Sequence, residues 1–224
     1  MKRSLPILLA LVAPAVAGHG QAYLFTGLSA PIPDDDPSGL VDQRSVSGAT
    51  AGFGNLEVTL TLNGVGAAGF NGDLYASLSH NGTLAVLLNR PGKDAALPLG
   101  YGDNGFSLTF DDSSGFGDVH TYRLTLPGPF PATGGVSGIV SSDGRKVDPD
   151  VVETGSPRTT SLTDFLGSDP NGTWTLFLAD MASGGGLELQ SWSLEFQPIP
   201  EPAMIGGIMA AGLLAWALIR RRSL

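Results

Sequence analysis

Leu56-Glu57-Val58-Thr59-Leu60-Thr61-Leu62 alternates apolar and polar side chains without a break. Successive side chains of an extended chain point to opposite faces, so period two describes a strand with one face buried. The pattern recurs on both sides of this stretch. Leu74, Ala76 and Leu78 alternate with Tyr75, Ser77 and Ser79. Phe106 to Phe110, Thr121 to Leu126, Thr173 to Leu178 and Trp192 to Phe196 repeat it. Asn81-Gly82 separates Leu74–Ser79 from the apolar run Leu84–Leu88. An Asn-Gly pair between two strands predicts a hairpin with a two-residue turn. No stretch between the terminal segments carries a helical period. The body is therefore expected to be an antiparallel all-β domain, a sandwich or jelly roll.

Composition agrees. Charged residues make up only 15% of the 224, and there are 32 glycines, as suits short strands joined by tight turns. The absence of cysteine excludes a disulfide framework, a thiol nucleophile and a thiolate metal site. Lys2, Arg3 and Arg220 to Arg222 lie near the two ends, leaving seven basic against 21 acidic residues elsewhere. So acidic a body repels phosphate backbones, and no nucleic-acid partner is expected.

The first segment reads Met1-Lys2-Arg3-Ser4, then an apolar run from Leu5 to Val16, then Ala15-Val16-Ala17. A basic start, a short apolar stretch and a small-x-small site predict a secretory signal cleaved after Ala17, with a cut after Ala22 as the alternative. Ala203 to Ile219 is uncharged and apolar for 17 residues. As a helix it would be about 26 Å long, near the roughly 30 Å of a bilayer core. Arg220, Arg221 and Arg222 would hold its end on the cytoplasmic side. Pro200-Glu201-Pro202 precedes it, and two prolines keep that backbone extended and outside the helix.

These three parts, adjacent and in order, resemble the PEP-CTERM sorting signal of Gram-negative bacteria. The resemblance implies recognition by an exosortase, with cleavage near Pro200-Glu201-Pro202, and delivery to the cell surface or an extracellular polysaccharide matrix. The expected organisation is a signal peptide at 1–17, a mature N-terminus at 18–24, a β-domain at 25–197 and a sorting tail at 198–224. The single transmembrane helix is expected at 203–219.

Within the body, Gly72-Asp73-Leu74-Tyr75-Ala76-Ser77-Leu78, Asn171-Gly172-Thr173-Trp174-Thr175-Leu176 and Ser191-Trp192-Ser193-Leu194 stand in a distinctive order. In that order, from Phe25 to Gln197, the chain resembles the P domain of proprotein convertases, also called P/Homo B. The resemblance implies a jelly-roll antiparallel β-sandwich that serves as an accessory module. Three places depart from the pattern. Ala67-Ala68-Gly69-Phe70 stands where a His or aromatic is usual, Ser113 to Pro157 is longer, and Gly184-Gly185-Gly186 replaces an acidic position.

Asp34-x-Asp36-x-Ser38-Gly39 places oxygens at alternate positions before a glycine, as the first half of a Ca²⁺ loop does. The competing reading is a polar Asx turn. With the resemblance in hand, Asp73 and Asp180 are the expected remote partners of Asp34 and Asp36 around a structural Ca²⁺. Gly64-x-Gly66-x-x-Gly69 spells a dinucleotide fingerprint but leads toward another strand, so it reads as a loop. His19, His80 and His120 lack metal-type spacing. Asp111-Asp112 could act on a sugar but fits turn capping better. No catalytic residues emerge. The expectation is a non-enzymatic surface or matrix protein. The alternatives are a calcium-assisted glycan- or protein-binding module and a matrix hydrolase.

Overall fold

The computed structural model describes residues 20–66, 69–113, 115–131 and 135–199. The expected signal cleavage at Ala17, the motif Pro200-Glu201-Pro202, the helix 203–219 and Arg220 to Arg222 lie outside these residues. Among the described residues, no helix is long and apolar enough to cross a membrane.

Nine strands are described: β1 (Gln21–Ile32), β2 (Asp36–Val46), β3 (Phe53–Gly64), β4 (Leu74–His80), β5 (Thr83–Asn89), β6 (Phe106–Asp111), β7 (Val136–Val140), β8 (Gly172–Asp180) and β9 (Leu187–Pro198). They form a five-stranded sheet in the order β1-β9-β3-β6-β7 and a four-stranded sheet in the order β2-β8-β4-β5. The opening heptapeptide is central in the first sheet, where Leu56, Val58, Leu60 and Leu62 are fully buried. Its polar residues face out and pair across strands, as in the Thr59 to Thr109 hydroxyl contact of 3.0 Å.

Two indoles join the sheets. Trp174 of β8 lies 5.6 Å from Phe196 of β9 and 5.1 Å from Phe165, and stacks on His80 at 4.1 Å. Its N–H donates to the Pro170 carbonyl at 2.8 Å. Trp192 of β9 packs 4.6 Å from Phe25, and its N–H reaches across to the Asp42 carboxylate of β2 at 2.5 Å. Each buried indole thus has an apolar contact and a satisfied donor.

The Asn81-Gly82 hairpin forms as expected. Both residues have positive φ, 47° and 82°, which matches a tight turn whose twist suits the flanking strands. Two expectations are corrected. The sheets are not wholly antiparallel, because β6 and β7 run parallel. Thr121 to Leu126 is not a strand, because Val119–Leu124 is 3₁₀-helical. There Tyr122 is buried while Leu124 is 81% exposed, so the alternating apolar residues share no face. Tertiary partners decide the conformation: the Tyr122 hydroxyl donates to Asp103, and the Asp118 carboxylate caps His120 N–H at 2.9 Å.

β1 starts at Gln21, ahead of the expected boundary at Phe25. Within the longer stretch 113–157, buried polar bonds hold the described residues 118–145 to one another. His120 Nδ1 lies 3.0 Å from Asp143, and Arg145 bridges Asp143 and Asp118 at 3.2 and 2.8 Å. Asp143 and Gly144 donate to the Leu87 and Val86 carbonyls, which covers the outer edge of β5.

Two substitutions separate packing from backbone geometry. Trp174→Ala is expected to cost about 3–5 kcal/mol in urea unfolding with an unchanged m-value. Nothing lies within 4 Å of a Cβ built on Gly82. Gly82→Ala should therefore cost only the left-handed backbone penalty, about 1–2 kcal/mol.

Candidate functional site

The strand ends divide the body into two poles. At one, Gln21 pairs with Phe196, so the chain enters and leaves the body side by side. At the other, Ile32 pairs with Leu187, β2 begins at Asp36, β4 begins at Leu74 and β8 ends at Asp180. All four acids expected near a cation lie at this second pole, but the side chain of one of them, Asp36, is engaged elsewhere.

Asp180 sits between β2 and β4, in register with Asp36 on one side and Leu74 on the other. It is fully buried. Its Oδ1 accepts from Ala182 N–H at 3.3 Å, and its Oδ2 is buried without a hydrogen-bond partner. Burial is the main cause that lifts its pKa to about 7, with Asp73 and Asp34 adding to the rise. Asp73 ends the 3₁₀ turn Asn71–Asp73 and is also buried. Burial lifts it to about 6, against the opposing pull of Arg90, whose guanidinium lies 3.3 Å away. Asp34 is exposed in the β1–β2 turn and accepts from Gly184 N–H at 3.3 Å.

Asp36 is not drawn in with them. Its Oδ1 accepts from the Ser38 N–H at 2.9 Å and hydroxyl at 2.6 Å, which is the Asx turn that the spacing also allowed. Among the described residues, no group of three or more His, Asp or Glu side chains is already poised to hold a metal. A cation here would rest on Asp73 and Asp180, with Asp34 closing from the turn and carbonyls or water completing the shell. The unpartnered Asp180 oxygen is the feature that fits a hard cation, which would relieve both its lost hydrogen bond and its proximity to Asp73.

A cavity of about 290 Å³ adjoins these acids, lined in part by Phe70, Asp73, Leu97, Leu99, Tyr101 and Ser183. Sequence reading missed it, because its residues come from loops without periodicity. Gly72 N–H donates to the Tyr101 carbonyl at 2.8 Å, and Tyr101 N–H to the Pro91 carbonyl at 2.9 Å. A Cβ on Gly92 would meet the Tyr101 ring at 2.3 Å, so that ring lies directly on glycine backbone. The buried Asn71 side chain exchanges two bonds with the Gly105 backbone, at 2.9 and 3.1 Å. Glycines and Asn71 thus pin the wall in place.

The other candidates have structural partners. Asp112 accepts from Ser142 N–H and hydroxyl, Ser161 hydroxyl and Leu162 N–H at 2.6–3.0 Å, which ties three segments together. Both ring nitrogens of His120 are engaged, by Asp143 and by the Lys93 carbonyl at 3.0 Å each. His80 is held between the Thr173 and Asp169 carbonyls. Gly64 ends β3, and the chain passes through Asn71–Asp73 into β4, so the glycine fingerprint spans a strand-to-strand connection.

No family model and no curated protein matches the chain. Among solved structures it is similar to the serine protease of Aeromonas sobria, at 18% identity and a TM-score of 0.39. The same holds for the complex of that protease with a chaperone, at 17% identity and a TM-score of 0.39. In both cases the alignment covers 83% of this chain and 27% of the other.

The raised pKa values of Asp73 and Asp180 set a pH dependence. Unfolded carboxylates titrate near 3.9, so between about pH 4 and 7 the folded protein retains protons that the unfolded chain has released. Stability without divalent cations should therefore fall as pH rises through this window. Melting in EDTA is expected at lower temperature at pH 8 than at pH 5. Asp180→Asn should flatten the profile and gain about 1–3 kcal/mol at pH 8.

Proposed function

We propose that the chain is an exported, non-catalytic β-sandwich protein, sorted by an exosortase to the cell surface or polysaccharide matrix of a Gram-negative bacterium. In this reading the body is a jelly roll of the P/Homo B kind, with a structural Ca²⁺ at its acidic pole. The observation that carries the reading is where the fold stops. β9 ends at Pro198, and after Ile199 come Pro200-Glu201-Pro202, the apolar stretch 203–219 and Arg220 to Arg222. In the sequence the motif follows Ile199, so a cut there would leave all of β9 on the body's side of the break.

The non-catalytic reading is supported by the occupation of Asp112, His80 and His120 in holding loops together. The acidic body also supports a role that excludes nucleic acid. For the cation, the support is the buried, unpartnered Oδ2 of Asp180 beside a second buried carboxylate. Ca²⁺ takes about six to eight oxygens, so Asp34, Asp73 and Asp180 would supply the charge and other oxygens the remainder. When bound, it would offset the mutual repulsion of these carboxylates.

Two measurements test the two halves separately. Mass spectrometry of the mature surface protein should find a C-terminus near Pro200-Glu201-Pro202, and intact Arg220 to Leu224 would sink the sorting proposal. Calorimetry and melting at pH 8 should show Ca²⁺ binding. Stabilisation should reach about 2.7 kcal/mol at a hundredfold excess over Kd. The gain should vanish near pH 5, where protons hold the carboxylates. No heat and no shift in Tm at pH 8 would remove calcium and leave sorting standing.

A further inference from the structure

The cavity beside Asp73 lies at the pole away from the chain's exit. β9 runs 12 residues from Leu187 to Pro198, about 35–40 Å of strand between the two poles. The cavity therefore lies at the opposite end of the sheet from Pro198, where β9 ends.

Its lining is unusual for a surface. Leu99 is 68% exposed, and Leu97 and Phe70 are more than a third exposed. They gather around Tyr101, whose ring is fixed from behind by Gly92 and on one face by Arg123, 4.4 Å from its centroid. A contiguous apolar patch rimmed by polar groups marks a binding surface. About 290 Å³ lies at the lower end of small-molecule pockets, with room for one six-membered ring rather than an oligomer.

The charge at the pole narrows the ligand. Asp34, Asp73 and Asp180 outnumber Arg90 here, and the Arg123 guanidinium over Tyr101 is engaged by Asp103 at 2.8 Å, so the surplus of carboxylates repels anionic ligands. A bound dication would balance the group and remove the attraction for an organic cation. A neutral ligand with an apolar face and a polar edge remains. The cavity wall depends on the same acids. Asp180 holds Ala182 N–H and Asp34 holds Gly184 N–H, fastening the segment that carries Ser183.

We propose that this cavity binds one pyranose ring of a neutral polysaccharide, its C–H face on the exposed Phe70 and Leu99 and its hydroxyls toward Asp73 and Ser183. The inference rests on the calcium reading for its charge balance and for the fastening of the 182–184 wall. Loss of the cation should therefore weaken the site.

Saturation-transfer NMR on the full chain in detergent, with the methyl glycosides of glucose, galactose and mannose as probes, tests this. With Ca²⁺, at least one glycoside should receive saturation on its ring C–H protons. EDTA should weaken its binding about tenfold or more. Leu99→Ala and Phe70→Ser alter exposed side chains. Each should lose the glycoside while Ca²⁺ calorimetry stays unchanged. Asp34→Asn should lose the Ca²⁺ dependence. Three results would overturn the inference: no glycoside bound although Ca²⁺ binds, binding indifferent to Leu99→Ala and Phe70→Ser, or butylammonium binding at these residues without Ca²⁺ while glycosides do not. Glycoside binding with no Ca²⁺ binding at all would instead overturn the calcium reading and the coupling, and leave the ring pocket.

Discussion

The two sheets hold together because each sends a tryptophan into the space between them. Trp174 brings Phe165, His80 and Phe196 into one aromatic group, and Trp192 bonds across the gap to Asp42. Both indoles are essentially inaccessible to water. Trp174 is oriented by the nearby Pro170 carbonyl, whereas Trp192 is tied to an acceptor on the other sheet, so the sheets cannot slide without losing the Trp192–Asp42 hydrogen bond. That bond is what turns two amphipathic layers into one defined packing, and the strand ends fall into two distinct poles as a result.

The poles differ in kind. Where the chain enters and leaves, polar side chains close the ends: Gln21 bonds to Gly48 and Thr50, and Asn171 bonds to Ala49. At the far pole, carboxylates are buried beside one another with one oxygen unpartnered. Such an arrangement works against folding at pH above the pKa values of these groups. Destabilising groups that persist beside an apolar concavity are a mark of binding sites. This contrast carries the functional reading of the far pole, whereas the sorting reading comes from sequence alone.

What was legible in the sequence follows burial. β3, β4, β6, β8 and β9 read directly as strands, because one face of each is packed on the core and the alternation is enforced. β5 was legible through its Asn-Gly turn. β1, β2 and β7 went unread, and all three are sheet edges. An edge strand buries less, and Leu24 and Val41 stand exposed among the apolar residues of β1 and β2. Bulges shift their register between Thr26 and Ala30 and between Asp36 and Leu40, which breaks the period. Thr121 to Leu126 failed in the opposite way: the period was present, but Tyr122 was claimed by Asp103.

By itself, the sequence determined the all-β class, the central strands, the Asn81-Gly82 hairpin and the acidity of the body. Those properties are written in neighbours along the chain: alternation, an Asn-Gly pair, a count of charges. It also singled out Asp34, Asp36, Asp73 and Asp180, through a local turn pattern and a resemblance. Only the tertiary structure decided that Asp34, Asp73 and Asp180 influence one another while the Asp36 carboxylate turns to Ser38, and that Phe70, Leu97, Leu99 and Tyr101 build a cavity beside Asp73. Contacts between residues 34, 73 and 180 depend on how two sheets stack. The stacking is set by side chains such as Trp174 and Trp192, whose partners lie far away along the chain.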